Sequence, residues 1–167
     1  MSTTRGTGRP AQAEAGKYLT FFLGHVSYGL QILRVRELIG LQEITELPQA
    51  PTYVKGVINL RDTVIPIVDL RGRFGMPEIE ATEQTCIVVV QVESRTIGLL
   101  VDRVSEVQDI GAQAIEGPPA IDEGNREGFI LGISKAGGRV TLLLDVDRIV
   151  GGAAQASLAE DLLDATV

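Results

Sequence analysis

Short apolar segments separated by turn residues run through the chain, and this pattern predicts a protein built from β-strands. Residues 57–60 and 64–68 are rich in β-branched side chains and flank the polar residues 61–63. This arrangement predicts a hairpin whose tip is exposed. Because Pro66 has no backbone N–H to donate, we expect its strand to be an edge or bulged strand.

The same pattern predicts strands on both sides of this hairpin. Residues 33–38 mix apolar and charged side chains and are interpreted as one bent turn, whereas 39–47 is interpreted as a strand. Residues 111–126 contain glycine and proline at several positions, which predicts a long loop. The other predicted strands are 18–23 with 26–32, 86–92 with 96–101, 104–110, and 129–134 with 139–144.

Three segments differ in composition from the predicted strands. Residues 1–16 lack apolar periodicity and are expected to form a disordered tail, which leaves 17–151 as the folded domain. Residues 78–84 are polar and acidic and are the best candidate for a boundary inside that domain. Residues 152–167 have a helical composition, because Leu158, Leu162 and Leu163 would share one helix face.

The chain also contains an internal duplication. The segment around Gly29 reappears around Gly98, with glycine, Arg-Val and glutamate in register, 69 positions later. Residues 56–69 match 132–145, 76 positions later. The chain is therefore interpreted as two repeats of one all-β unit, the first before residues 78–84 and the second after them, and the short strands favour two small barrels.

The two repeats differ at the tips of their matching hairpins. The first tip carries Asn59, Arg61 and Asp62, while the second holds Lys135 and two glycines, which have less capacity for directed hydrogen bonds. Specific recognition is therefore expected in the first repeat. Arg61 is predicted to pair with Glu37 if the bent turn lies beside the hairpin, although a solvated pair without a function remains open.

Composition excludes several function classes. Lys and Arg number 15 against 22 Asp and Glu, a net charge of −7, so the chain has no basic field to attract nucleic acid. Cys86 and His25 are the only residues of their types, and no cluster of titratable residues indicates an enzyme, a metal site or a cofactor. No apolar run has the length of a membrane span or a signal peptide, so a cytoplasmic protein without direct membrane insertion is expected.

From about residue 18 to 150 the chain resembles the CheW family of bacterial chemotaxis coupling proteins. The motifs that carry the resemblance are Tyr28-Gly29-Leu30, Ile32-Leu33, Val35-Arg36-Glu37-Leu38, Pro48-Gln49-Ala50-Pro51, the segment 54–61, and the segment 64–70. The resemblance implies two intertwined five-stranded SH3-like barrels that enclose a shared core, with short helical turns, while the C-terminal helix is expected from the composition of residues 152–167 alone. The family commonly has glycine where this chain has Asp62, a residue type that tolerates the left-handed backbone of a tight turn.

The resemblance also implies a function, that of a non-catalytic adaptor. Such a protein binds the cytoplasmic tip of chemoreceptors and the regulatory domain of the chemotaxis histidine kinase, and is recruited to receptor arrays at the membrane. The positions that match the family's receptor contacts are Val35, Glu37, Gly56, Val57, Asn59 and Arg61.

For the kinase, the apolar loop of Pro118, Pro119, Ala120 and Ile121 is the candidate surface, and a loop that covers the second barrel is the alternative. Two other functions remain open at this point. One is an adaptor of a related pathway such as pilus-based motility, and the other is a small enzyme, which binding of a nucleotide or metal would support.

Overall fold

A computed structural model of the chain describes residues 13–118 and 128–151. Within these ranges the chain forms eleven strands and two short α-helices. The strands are β1 (Gly16–Leu23), β2 (Val26–Gln31), β3 (Val35–Gly40), β4 (Val54–Leu60), β5 (Thr63–Asp69), β6 (Cys86–Val92), β7 (Arg95–Val101), β8 (Arg103–Ile110), β9 (Ile115–Glu116), β10 (Ile130–Ser134) and β11 (Thr141–Leu144). The helices are α1 (Leu70–Arg73) and α2 (Val146–Val150), and 3-10 helices occupy Ile32–Arg34, Ala112–Ala114 and Ala136–Gly138.

The strands form two sheets, and this confirms the prediction of an all-β fold. The six-stranded sheet has the order β8-β1-β2-β11-β10-β9, and the five-stranded sheet has the order β3-β6-β7-β5-β4. Each sheet combines the first hairpin of one repeat with the later strands of the other. Residues 78–84, which connect α1 to β6, therefore separate the repeats along the chain but do not separate the two sheets.

The two sheets are equivalent strand by strand, as the duplication requires. Strands β8, β1, β2, β11 and β10 of one sheet correspond to β3, β6, β7, β5 and β4 of the other. Thr45, which makes an isolated bridge to Val57, corresponds to β9, in which Glu116 pairs with Ile133. The helices are equivalent too, because Asp69 caps α1 and Asp145 caps α2 through backbone N–H groups of the first helical turn.

The repeated glycines mark places where two strands approach closely. A Cβ on Gly98 would lie 2.6 Å from Ile67 Cδ1, and one on Gly29 would lie 3.0 Å from Leu143 Cδ2. Gly56 is even more restricted, since its Cβ would lie 2.1 Å from the carbonyl oxygen of Thr45. Close packing therefore explains why glycine recurs at these positions of both repeats.

The largest core cluster draws buried side chains from both sheets, including Phe21 and Leu30 of the six-stranded sheet and Val88 and Leu99 of the five-stranded one. A second cluster around Ile67 belongs to the five-stranded sheet, and a third around Tyr18 belongs to the six-stranded sheet. The shared cluster holds the two sheets together in one body.

The chain crosses between the sheets at two equivalent points, and an ion pair to a short helix supports each crossing. At the first, Arg34 of the 3-10 helix pairs with Asp147 of α2 at 2.6 Å. At the second, Asp102 pairs with Arg71 of α1 at 2.7 Å. Both crossings therefore have an ion pair to a short helix, but the helix supplies the acidic residue at the first crossing and the basic residue at the second.

The structure corrects the prediction for residues 33–47. Residues 35–40 form β3 and not a bent turn, whereas residues 41–53 contain only the bridge at Thr45 and not the strand predicted for 39–47. The charged side chains of 33–38 suggested a turn. In β3, however, the half-buried Val35, Glu37 and Ile39 alternate with exposed residues at 36, 38 and 40, as a strand with one exposed face requires.

The prediction that the strand of Pro66 is an edge or bulged strand is also wrong. Its strand, β5, lies between β7 and β4. Proline is tolerated there because the pairing of β5 with β7 begins one residue later, at Ile67, and the bulge lies in the partner strand β4.

The predictions for the two ends of the chain concern mostly residues outside the described ranges. Residues 1–12 and 152–167 lie outside them. Within the predicted tail, however, the backbone N–H of Ala13 donates to the carbonyl of Leu131 and Gly16 begins β1. Residues 13–16 therefore belong to the folded part.

Candidate functional site

Five of the six predicted receptor contacts lie on the two edge strands of the five-stranded sheet, and the sixth lies in the adjoining turn. Val35 and Glu37 are on β3, Gly56, Val57 and Asn59 are on β4, and Arg61 is in the turn that joins β4 to β5. Strands β3 and β4 are at opposite ends of the strand order. The predicted site therefore exists only if the sheet curves until its edges meet.

An ion pair shows that the edges do meet. The guanidinium of Arg61 donates a hydrogen bond to the carboxylate of Glu37. In addition, Thr45 exchanges two backbone hydrogen bonds with Val57, of 2.9 and 2.8 Å, so the segment after β3 also returns to β4. The five-stranded sheet is thus closed in the manner of a small barrel.

The ion pair remains accessible to a partner. The side chain of Arg61 is 68% exposed and that of Glu37 is 33% exposed. The hydrogen bond to Glu37, with the attraction between the two charges, raises the pKa of Arg61 above its usual value. A guanidinium has five N–H donors in a planar fork, so Arg61 can contact Glu37 and still present donors to a second acceptor.

The turn that carries Arg61 has two residues and an uncommon backbone conformation. Leu60 pairs with Thr63, while Arg61 and Asp62 both have positive φ, 50° and 68°. Positive φ at both central residues is the type I′ geometry that matches the twist of a hairpin. Asp62 occupies the second of these positions, where the positive φ favours glycine.

The remaining predicted contacts are distributed differently. Val35 packs against the large shared cluster, whereas Val57 packs with Val54 in a small separate cluster. Gly56 is buried beneath Thr45 and presents no side chain. The structure thus brings Glu37 and Arg61 together, but it does not place Val35 and Val57 in one cluster, and the geometry gives Gly56 a packing role.

Asn59 is exposed on the outer face of the hairpin, and the residue opposite it was missed by the sequence analysis. Val64 pairs with Asn59 across the ladder and is 36% exposed, an apolar side chain at the surface beside a polar one. Once a two-residue turn at 61–62 is assumed, the pairing of 59 with 64 follows. That register was the signal that could have identified Val64.

The candidate kinase surface is described only at its first residue. Pro118 is half-buried and follows β9 by two positions, whereas Pro119, Ala120 and Ile121 lie outside the described residues.

Other chemistry is limited within the described ranges. His25 is exposed in the turn between β1 and β2. Cys86 packs against the large core cluster, and burial raises the pKa of its thiol. Residues 13–118 and 128–151 contain no group of three histidine, cysteine, aspartate or glutamate side chains that could hold a metal ion. They also contain no helix that is long and apolar enough to cross a bilayer.

Comparison with known proteins identifies the family. The model of the CheW-like domain matches residues 17–154. The chain belongs to the CheW family. Among its CheW relatives, the chemotaxis protein CheW of Rhizobium meliloti is 39% identical over 131 residues, which cover 78% of this chain and 84% of that protein. The chemotaxis protein CheW of Klebsiella aerogenes is 32% identical over 134 residues, 80% of this chain and 81% of that protein.

A solved CheW structure has the same fold. The scaffolding protein TtCheW from Thermoanaerobacter tengcongensis superimposes with a TM-score of 0.77 at 31% identity, covering 84% of this chain and 95% of that one. The resemblance inferred from the motifs is thereby confirmed. This CheW-family chain is a non-catalytic chemotaxis scaffold.

Proposed function

We propose that this CheW-family chain couples chemoreceptors to the chemotaxis histidine kinase, and that it binds the cytoplasmic tip of the receptor at the barrel closure. The barrel closure is defined here as Glu37, Asn59, Arg61 and Val64. The observation that carries this proposal is the exposed Arg61–Glu37 pair, which joins the two edges of the five-stranded sheet.

The pair is better explained by recognition than by stability. An exposed ion pair contributes little to the stability of the fold, and Thr45 already links the segment after β3 to β4 through two backbone hydrogen bonds. The pair instead holds a guanidinium in a fixed place at the surface. A helical partner could lay an apolar face on Val64 while a carboxylate or carbonyl accepts from Arg61.

The second repeat supports this assignment by contrast. Its equivalent hairpin tip carries Gly137 where the first carries Arg61, and Glu106 stands where the first repeat has Glu37. Lys135 near that tip pairs instead with Glu116 of β9 at 2.5 Å. Within the described residues, the position equivalent to Arg61 therefore holds a glycine, and Arg139 near the same tip lies over the ring of Phe22 in β1.

The test is a pull-down with a purified chemoreceptor cytoplasmic fragment. We expect Arg61→Asp to keep its circular dichroism spectrum and melting temperature, because Arg61 lies in an exposed turn, and to lose most of its receptor binding. Lys135→Asp is the matched control, since it reverses an exposed charge at the equivalent tip. Wild-type binding by a folded Arg61→Asp variant would remove the barrel closure as the receptor site.

The kinase half of the proposal needs its own measurement. We expect the wild-type chain to bind the isolated regulatory domain of the kinase, and the Arg61→Asp variant to bind it equally well. The proposal also implies recruitment to receptor arrays at the membrane through these contacts. Binding to neither partner would contradict the coupling function and direct the search to receptors of another pathway, such as pilus-based motility.

A further inference from the structure

A pocket of about 570 Å³ lies beside the start of β4, away from the hairpin tip. Its apolar lining includes Leu41 from the segment after β3, Leu100 from β7, and Ile79 from the acidic segment 78–84. Leu41 is 43% exposed and Ile79 is 47% exposed. The pocket is therefore open at the surface and has an apolar floor.

The corresponding place in the other half of the molecule is filled by the chain itself. There, Ala13 donates its backbone N–H to the carbonyl of Leu131 at 3.1 Å. A Cβ on Gly132 would lie 3.0 Å from the Cβ of Ala13, and the hydroxyl of Tyr18 donates to the carbonyl of Glu14 at 2.6 Å. Residues 13–14 thus lie beside β10 at Leu131, next to the place where the pairing of β10 with β9 ends.

Lys55 is the equivalent of Leu131, since each is the extra residue at the bulge of its hairpin. Outside the strand ladder, however, the Lys55 carbonyl accepts no backbone hydrogen bond from the described residues. Residues 82–83 correspond to residues 13–14 at the 69-position shift. They form a local turn instead, because the backbone N–H of Thr82 donates to the Thr85 hydroxyl and the backbone N–H of Thr85 donates to the Thr82 carbonyl. In the described part of the chain, the edge of β4 is therefore uncovered at Lys55, whereas the equivalent edge of β10 is covered at Leu131 by residues 13–14.

Charge limits what can occupy this edge. The pocket is lined by two cations and by four carboxylates, those of Asp69, Glu78, Glu80 and Asp102. Lys55 pairs with Glu78 at 2.5 Å, and Arg71 pairs with Asp102. Asp69 uses one carboxylate oxygen to cap α1, and Glu80 is exposed and has no ion-pair partner among the described residues. The surplus is negative, which favours a cationic occupant.

We propose that this pocket binds an extended, positively charged peptide segment of a partner protein. The backbone of the segment lies along Lys55 as residues 13–14 lie along Leu131, and an arginine or lysine of the segment lies beside Glu80 and Asp69. This is strand addition to a short free edge, in which backbone hydrogen bonds give affinity and one charged side chain gives selectivity. The pocket is separate from the barrel closure, so the proposal does not depend on receptor binding there.

The experiment is a nuclear magnetic resonance titration of the full chain, in which backbone amide shifts are followed. The probes are two acetylated hexapeptides with the sequence of residues 11–16, one unchanged and one with Glu14→Arg. We expect the arginine peptide to shift the amides of Lys55, Gly56 and Ala81 with a Kd of about 0.1–1 mM, typical of a short single segment. The unchanged peptide, which carries a glutamate, should bind at least about fivefold more weakly because of the acidic surplus.

Two variants locate the site. Ala81→Trp should abolish the shifts, because Ala81 is exposed in the lining and a large ring would fill the pocket. Glu80→Lys should weaken binding of the arginine peptide about twofold to fivefold, the range of one exposed ion pair. Glu106→Lys, on the exposed face of β8, is the matched control and should bind like the wild type.

Three outcomes would overturn the proposal. One is an absence of shifts at Lys55 and Gly56. Another is a set of shifts confined to Leu131 and Gly132, which would mean that the peptide competes only for the groove already filled. The third is an equal response to free arginine at the same concentration, which would assign the pocket to a small cation and not to a peptide segment.

Discussion

Arg71 and Asp102 form a two-pronged ion pair at the point where the chain passes from the five-stranded to the six-stranded sheet. Arg71 Nε lies 2.9 Å from Asp102 Oδ1, and Nη2 lies 2.7 Å from Oδ2. Asp102 Oδ2 also accepts the backbone N–H of Gly24 at 2.7 Å. Because the side chains are only 12% and 19% exposed, this pair connects α1, the crossing and the turn between β1 and β2 in a largely buried place.

Removing one partner of the Arg71–Asp102 pair should lower the free energy of unfolding. We expect Asp102→Ala to lower the free energy of unfolding by about 3 kcal/mol, because Arg71 would remain buried without its counter-charge. Urea denaturation measures the change. The double variant Arg71→Met with Asp102→Leu should lose less than Asp102→Ala alone, since it leaves no uncompensated charge.

The matched control for that prediction is the pair of Lys17 and Asp109. Its side chains are 62% and 75% exposed. Asp109→Ala should therefore change the free energy of unfolding by less than about 1 kcal/mol. A loss from Asp109→Ala as large as that from Asp102→Ala would contradict the importance of burial.

Stability should also depend on pH through Asp102. Burial alone would raise the pKa of this carboxyl, but hydrogen bonds from Arg71 and from the Gly24 N–H outweigh it, so the pKa lies below the usual 3.8. The unfolded chain then binds the proton more readily than the folded one. The contribution of Asp102 is therefore complete above about pH 5 and is lost as the pH falls through the folded value.

The measurement for this prediction is a comparison of wild type and Asp102→Asn in urea from about pH 6 to about pH 3. The gap between their free energies of unfolding should be constant at the upper end and shrink at the lower end. A gap that stays constant throughout would show that Asp102 does not titrate differently in the folded chain.

Gly98 should not tolerate even one methyl group. A Cβ there would lie 2.6 Å from Ile67 Cδ1 and 2.7 Å from Ile87 Cγ2 in the core of the five-stranded sheet. We expect Gly98→Ala to lower the free energy of unfolding by about 1–3 kcal/mol, the usual cost of overpacking. Gly40→Ala is the control, because a Cβ at Gly40 meets nothing within 4 Å, and equal effects of the two substitutions would refute the packing argument.

Asp62 should respond in opposite directions to two substitutions. Its φ of 68° favours glycine, so Asp62→Gly should leave stability unchanged or raise it by up to about 1 kcal/mol. Asp62→Val should lower it by about 1–3 kcal/mol, because a β-branched side chain is strained in the left-handed region. Thermal unfolding of both variants checks the prediction, and a stable valine variant would argue against the type I′ turn.

The sequence predicted those parts of the structure that depend on neighbouring residues. The hairpin tip at Arg61 and the duplicated glycines were found because turn residues and strand alternation act over a few positions. The Arg61–Glu37 pair was also expected, but on the assumption that a bent turn would bring Glu37 beside the hairpin, whereas strand β3 does so. Residues 33–38 were misread because the charged side chains obscured a strand with one exposed face.

The arrangement of the two repeats could not have been predicted in the same way. The duplication shows that Gly29 and Gly98 are equivalent, but it does not show whether β2 joins the sheet of its own repeat or that of the other. Local sequence is the same in both cases, because the choice depends on contacts such as Ser27 with Thr141, which are far apart in the chain. The open edge at Lys55 was missed for the same reason.

The first hairpin of each repeat lies in a sheet with the later strands of the other repeat, and this limits the order in which the protein can be completed on the ribosome. The hydroxyl of Ser27 bonds to that of Thr141, which is synthesised 114 positions later. At the usual rate of about 5–20 residues per second, the first hairpin must wait about 6–23 s for this neighbour. During that interval the apolar side chains of β1 and β2 lack their permanent cover, so the earliest part of the chain to emerge is among the last to reach its final environment.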